Sequence, residues 1–508
     1  MEQYDIIIIG TGAGGGTLAW QLAPTGKKIL ILERGDYVPR EKENWSSEAV
    51  FMDGRYTAKE SWYDKNDAVF HPGIHYCVGG NTKFYGAALL RFRAEDFDEL
   101  KHEGGVSPAW PISYAELSPY YLKAEQLYCV NGERGIDPTE PPESQPFPLP
   151  PLAHEPSIQK LHDDLKAVGL RPFPLPMGVR QDVSGDTPVI LDRFDGYPDP
   201  TETKADAHVC CIRAALKHPN VTMITNCHVD RLETDATGKQ VKTVHATIGE
   251  ETLVFSANIV AVCCGAINSA ALLLRSASEA HPKGLANGSD VVGRHYMAHN
   301  NSVMMAFSTE KNTARFGKTL GLNDFYFGDQ DFAFPMGHIQ MVGKSDEWNL
   351  KAESPFPVPS FPLKYIAEHS LDFWLTSEDL PDPRNQVLLK EDGSIAIHYY
   401  PNNLKAHEQL QKKLKSILEH LNLQPHILPN HIYLSKQIPI AGTAHQAGTI
   451  RFGNDPQTSA LDTNCRAHEV DNLYVVDGSF FPSIAAVNPS LTIMAMAIRV
   501  GEHIAQSI

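Results

Sequence analysis

The sequence has no apolar run long enough to cross a bilayer. Stretches such as Ile259 to Ala266 and Leu491 to Ile498 fall far short of the roughly 20 residues a spanning helix needs. It is also short of positive charge. Lys and Arg number 44 against 61 Asp and Glu, a net charge of −17, which leaves no basic footprint for nucleic acid or an anionic membrane. Neither partner is expected. The 8 cysteines include the neighbours Cys210-Cys211 and Cys263-Cys264, but none stands in C-x-x-C spacing. The pattern predicts no metal site and reduced, buried thiols in a cytoplasmic enzyme. No G-x-S-x-G elbow occurs, so Ser/His/Asp hydrolysis has no support. The opening Glu2-Gln-Tyr-Asp5 runs straight into an apolar strand, leaving no charged and apolar leader regions, and predicts no signal peptide.

What remains is the balance of an ordinary globular chain. Of the 508 residues, 42% are apolar and 21% charged, enough for two or three substructures around a buried core. Residues 5–9, an aspartate followed by four isoleucines, form a run that closes on Gly10, as a buried parallel strand does. A helical segment follows Gly15, and Lys28 to Glu33 reads as a second buried strand. Strand, glycine turn, helix, strand makes one βαβ unit. A second α/β region spans about 221–280, with strands expected over Val221–Thr225 and Val254–Cys264 and a helix over Ala266–Ser276. The prolines between 138 and 156 predict an extended surface connection, and Pro355 to Pro362 is a candidate lid or plain loop. Asp392-Gly393 signals a hairpin within 385–400. Leu410, Leu414, Ile417, Leu418 and Leu421 mark the buried face of a helix.

Gly10-Thr11-Gly12-Ala13-Gly14-Gly15 fits G-x-G-x-x-G. Gly10 permits the tight turn, Gly12 lets backbone approach a pyrophosphate, and Gly15 lets the helix pack on the strand, with free N–H groups aimed at the anion. Glu33, ending the next strand, suits a ribose hydroxyl pair and disfavours a phosphorylated ribose. This motif does not distinguish NAD from FAD. Gly79-Gly80-Asn81-Thr82, a second glycine cluster for a longer cofactor, argues for FAD. So does Leu473 to Asp477-Gly478, another strand closing on a turn. Asn488-Pro489 then reads as a helix cap and first helical residue, whose N-terminus would stabilise negative charge on a reduced flavin.

Taken in order, Gly10–Gly15 with Glu33, Gly79-Gly80-Asn81, the His445-Gln-Ala-Gly448-Thr449-Ile-Arg451 segment, and Asp477-Gly478 followed by Asn488-Pro489 resemble the glucose-methanol-choline (GMC) oxidoreductases over nearly the whole chain. The finer likeness is to bacterial sugar and polyol dehydrogenases and pyranose oxidases. The resemblance implies an α/β fold in which a Rossmann-type FAD-binding domain (1–95, 205–300 and 440–508) interleaves with an antiparallel-sheet substrate domain (96–204 and 301–439). It also implies oxidation of a CH–OH group of a sugar, glycoside or polyol by hydride transfer to flavin N5. His445 would be the base, Asn488 would orient the hydroxyl, and O2 or another acceptor would reoxidise the flavin. His299 and His338 are lesser, structural candidates. Phe84 stands where some members carry a flavin-linking histidine, so FAD is expected to be non-covalent. Competing readings are a simple or aromatic alcohol as substrate and a flavin-fold binding protein without turnover. A photodecarboxylase is disfavoured because His445 is retained.

Overall fold

A computed structural model describes residues 2–181, 191–353, 358–428 and 445–508. Four parallel pairings build the centre of the main sheet. Strand Gln3–Ile9 lies between Ile29–Leu32 and the long strand Glu251–Val262, Val221–Ile224 flanks Ile29–Leu32, and Leu473–Val475 pairs with the far side of 251–262. Ile6, Ile7, Ile8, Leu30 and Ile31 are fully buried, as uninterrupted apolar runs must be when helices cover both faces. The 251–262 strand is longer than the sequence pattern suggests. Its first residues, Glu251 to Phe255, pair antiparallel with Val241–Ile248, which in turn pairs with His228–Thr234. One strand therefore carries a meander at one end and the nucleotide-type sheet at the other.

The helix Ala13–Leu22 packs against the C-terminal helix Ser490–Ser507. The helix Ala266–Arg275 and the hairpin of Gln386–Leu389 with Ile395–His398 form where expected. The Pro355–Pro362 stretch lies partly outside the described residues, and a helix runs over Ser360–His369 beyond it.

The second sheet has six strands in the order 424–428, 300–307, 370–377, 338–341, 320–322 and 173–174, each pair antiparallel. Alternation gives it two unlike faces. Met304, Ile339, Phe373 and Leu375 turn to the back, against Leu410, Leu414 and Leu418 of the helix Leu404–His420. Asn301, Gln340 and Trp374 take the other parity and roof a cavity. The fold is thus α/β, a Rossmann-type unit beneath an antiparallel roof.

Candidate active site

The cavity, about 540 Å³, runs from the ends of strands 3–9 and 29–32 to the underside of the roof. Its narrow requirements begin at the first turn. Gly10 adopts φ +99°, and a Cβ there would lie 2.5 Å from the Cys263 carbonyl oxygen. Gly14 leaves still less room, since its Cβ would sit 1.8 Å from the Val476 oxygen. A Cβ on Gly12 would meet nothing within 4 Å, so that backbone faces open space. Gly12 caps the helix Ala13–Leu22 without any side-chain cap bond. Unsatisfied first-turn N–H groups beside an open cleft suit a phosphate.

Thr11, whose role no motif signals, ties the turn together. Its N–H and hydroxyl both donate to Glu33 Oε2, at 3.1 and 2.5 Å, and its hydroxyl accepts from the Gly79 N–H at 3.0 Å. Gly35 N–H donates to Glu33 Oε1 at 2.9 Å. Three segments distant in sequence thereby meet at the Thr11 hydroxyl, and burial raises the pKa of the Glu33 carboxylate beside it. Gly80 continues the contact, its Cβ position 3.1 Å from the Gly12 Cα.

Gly10, Gly12, Ala13, Gly14, Glu33, Gly80, Asn81, His445, Asp477, Gly478, Asn488 and Pro489 all border the cavity. Gly15 and Gly79 stand one layer behind it, Gly15 against the Gly10 carbonyl. The Asp477 carboxylate faces the protein. It accepts from Ser479 N–H and Gly265 N–H, each at 2.9 Å, and from the hydroxyls of Ser269 and Ser479. It therefore shapes the wall, and burial raises its pKa.

The expected cap at Asn488 needs correcting. The last helix starts at Ser490 with Pro489 as its cap residue, and no side chain caps it. Asn488 turns away, and its Nδ2 lies 3.5 Å from His445 Nε2. Its buried Oδ1 has no partner among the described residues. His445 Nδ1 lies 2.9 Å from His299 Nδ1, and His299 Nε2 lies 3.0 Å from the Ala485 carbonyl. Burial, then the nearby His299, Lys318 and His338, hold His445 well below the ordinary imidazole pKa. His338 lies deeper, its Nδ1 2.6 Å from Asn323 Oδ1.

Above this pair the roof presents Asn301, Gln340, Trp374 and the buried Lys318, whose ammonium pairs with Asp195. Asp195 also accepts from the Gly343 N–H at 2.8 Å. Gln340 Oε1 is buried without a protein partner among the described residues. Sequence reasoning could not find Asn301, Gln340 and Trp374, because only strand pairing shows which parity faces the cavity, and Lys318 stands in the turn before the strand Leu320–Leu322.

A dinucleotide cradle joined end to end with a polar compartment holding a neutral histidine and an amide is the layout of a flavin-dependent oxidoreductase. Comparison with known proteins agrees. GMC oxidoreductase family models match residues 4–301 and 381–497, and the chain belongs to the GMC oxidoreductase family. It is an FAD-binding oxidoreductase acting on CH–OH donors. Paromamine 6'-oxidase of Streptomyces fradiae is 30% identical, with 99% of this chain and 91% of that protein aligned. 6'''-hydroxyparomomycin C oxidase of Streptomyces lividus is 29% identical over 99% and 92%. Among solved structures, pyridoxine 4-oxidase from Mesorbium loti has a similar fold, with TM-score 0.67, 19% identity, and 98% and 99% of the two chains covered. No helix among the described residues is long and apolar enough to cross a membrane.

Proposed function

We propose that this chain oxidises a secondary or primary hydroxyl of a sugar, glycoside or polyol, with His445 Nε2 accepting the hydroxyl proton and the Asn488 amide holding the same oxygen. The observation that carries this reading is the 3.5 Å approach of Asn488 Nδ2 to His445 Nε2 at the cavity end, beneath a polar roof. A neutral imidazole is the form a general base requires, and burial keeps His445 neutral. FAD, when bound, supplies the two-electron acceptor for the carbinol hydride. Gly12 and the uncapped first turn would hold its pyrophosphate, and Glu33 would face its ribose. The N-terminus at Pro489-Ser490 would favour negative charge on the reduced ring.

The domain reading (1–95, 205–300 and 440–508 against 96–204 and 301–439) draws support from the two sheets, one fed by strands near 3, 29, 221–262 and 473 and the other by strands between 173 and 428. No disulfide joins the cysteines among the described residues, which supports a reducing, cytoplasmic setting.

Gln340, whose buried Oε1 accepts no hydrogen bond from the described residues, favours a polyhydroxylated substrate over a simple or aromatic alcohol, because a greasy substrate would leave that oxygen unpaired. Two Streptomyces relatives carry names of aminosugar oxidases, which supports the same class. Anaerobic bleaching of the flavin across a panel of sugars, polyols and aromatic alcohols tests the substrate class. Subsequent mixing with O2 or a quinone identifies the acceptor. His445→Ala should slow bleaching by about 10²–10⁴-fold. Unchanged bleaching in that variant would favour a binding protein or another base.

A further inference from the structure

We infer that His299 is a positioning residue that fixes His445 in the tautomer bearing hydrogen on Nδ1, using the Ala485 peptide as its anchor. The inference rests on the reading of His445 as base, and follows from donor and acceptor bookkeeping. The Ala485 carbonyl can only accept, so the 3.0 Å contact requires hydrogen on His299 Nε2. A neutral His299 then has a bare Nδ1. The 2.9 Å contact between the two Nδ1 atoms needs one hydrogen, and it must come from His445. A neutral His445 with hydrogen on Nδ1 leaves its Nε2 lone pair free, facing Asn488 Nδ2 and the cavity. The other tautomer would turn an N–H toward the substrate and offer no base.

The anchor is built for this task. Ala485 has φ +55°, a left-handed conformation that a residue with a side chain adopts only where its surroundings impose it. Its N–H donates to Glu378 Oε1 at 3.1 Å, and Glu378 is itself held by the Ser107 hydroxyl at 2.8 Å and His102 at 3.1 Å. The next residue is pinned on both sides, starting with the N–H of the anchoring peptide itself. Ala486 N–H donates to the Tyr326 hydroxyl at 3.2 Å, and the Thr376 hydroxyl donates to the Ala486 carbonyl at 2.7 Å. The charged and titratable groups facing the pair are Lys318 and His338 toward His445, and Glu378, His338 and His407 toward His299. Burial holds His299 neutral, with its pKa down to about 4.

In turnover the substrate O–H bond would break as its proton forms the Nε2–H bond of His445, and the carbinol C–H bond would give way to a C=O bond, with FAD, when bound, supplying the acceptor for the hydride. The new imidazolium keeps its Nδ1–H donated to His299, a bond that strengthens with the charge. His299 therefore supports both forms of the base without exchanging a proton.

The test is kcat, KM and the pH profile of kcat/KM for the FAD-loaded enzyme with His299→Leu and His299→Asn, beside His445→Ala. Asn places an acceptor where Nδ1 stood, and Leu places none. The expected result is a kcat lowered about 10²-fold in His299→Leu, with KM changed less than about threefold and the acid limb moved to lower pH. His299→Asn should recover to within about tenfold of the parent. If the leucine variant does not fold, His299→Ala supplies the same contrast with asparagine. Equal kcat in the Leu, Asn and parent enzymes, or an asparagine variant no better than leucine at equal flavin content, overturns the inference. His445→Ala separates the two levels. Loss of activity there with His299→Leu unaffected sinks only this inference, whereas full activity there sinks the base assignment itself.

Discussion

Replacing Thr11 by valine keeps the shape of a fully buried side chain and deletes one hydroxyl. That hydroxyl joins three cofactor-bearing segments, donating to Glu33 and accepting from Gly79 N–H. Losing a hydrogen bond to a charged group costs about 1.5–3 kcal/mol, and leaving the Gly79 N–H buried and unpaired costs about 1–3 kcal/mol more. Glu33 keeps the Thr11 and Gly35 N–H donors, so the total should lie near the lower half of the sum, about 3–4 kcal/mol. A chain of 508 residues unfolds with an entropy of about 1 kcal/mol/K, so the thermal midpoint should fall by about 3–4 °C. Because the strain falls on the cradle, FAD affinity should weaken as well, by about tenfold for each 1.4 kcal/mol that binding has to restore. Thr11→Ser, which retains the hydroxyl, is the control. Melting followed by flavin fluorescence and FAD titration of the apoprotein measure both quantities. A valine variant that melts within about 1 °C of the serine variant and binds FAD equally well would refute the argument that this hydroxyl organises the site.

Gly14→Ala should give colourless protein, because its methyl would overlap the Val476 carbonyl and lift the helix Ala13–Leu22 off its strand. The ratio of flavin to protein absorbance reads this directly, and a fully yellow variant would contradict it. Acid precipitation should release the flavin into the supernatant, since Phe84, a cavity-wall residue, offers no linking nitrogen. A yellow pellet would show otherwise. Stability should rise as pH goes from about 4.5 to 6.5. Burial depresses His299 and His407 to about 4 and His338 to about 3, against 6.5 for an ordinary imidazole. Through that window the unfolded chain holds protons that the native state refuses, so lowering the pH favours unfolding. His154, His208 and His295, each near 4, act in the same direction. Asp96 and Asp379, raised by burial to about 7 and about 8, oppose them, as do Glu33, Asp372 and Asp477, which burial also raises, but these five acids are fewer than the six imidazoles. A thermal midpoint higher at pH 4.5 than at 6.5 would count against this balance.

The first turn was legible because its demands are local. A left-handed Gly10 and an open Gly12 follow from what a strand–helix turn needs, whatever lies elsewhere. Gly14 and Thr11 were not, since one is dictated by a carbonyl near the far end of the chain and the other by Glu33 and Gly79. The order of motifs singled out the histidine and asparagine that meet at the cavity end, yet the cap assigned to Asn488 failed. Proline at 489 already adopts helical angles, which frees the asparagine side chain for His445. The roof residues Gln340 and Trp374 sit in short strands whose facing parity depends on partners remote in sequence. His299 lay in view as a residue but not as a role, because its partner is a backbone carbonyl bent by Ala485.

The strand Leu473–Val475 and the helix after it close a sheet whose first strand is made at residue 3. During synthesis the nucleotide cradle therefore stays half-walled until residues 473–490 have left the ribosome. Until then the 251–262 strand presents a bare apolar edge where residues 473–475 will dock, the kind of surface that recruits chaperones or pairs with other chains. Truncation before residue 473 would thus remove a wall of the cradle. Flavin can be held only once those residues are in place, so free FAD and folding assistance at that moment should govern how much active enzyme a cell obtains.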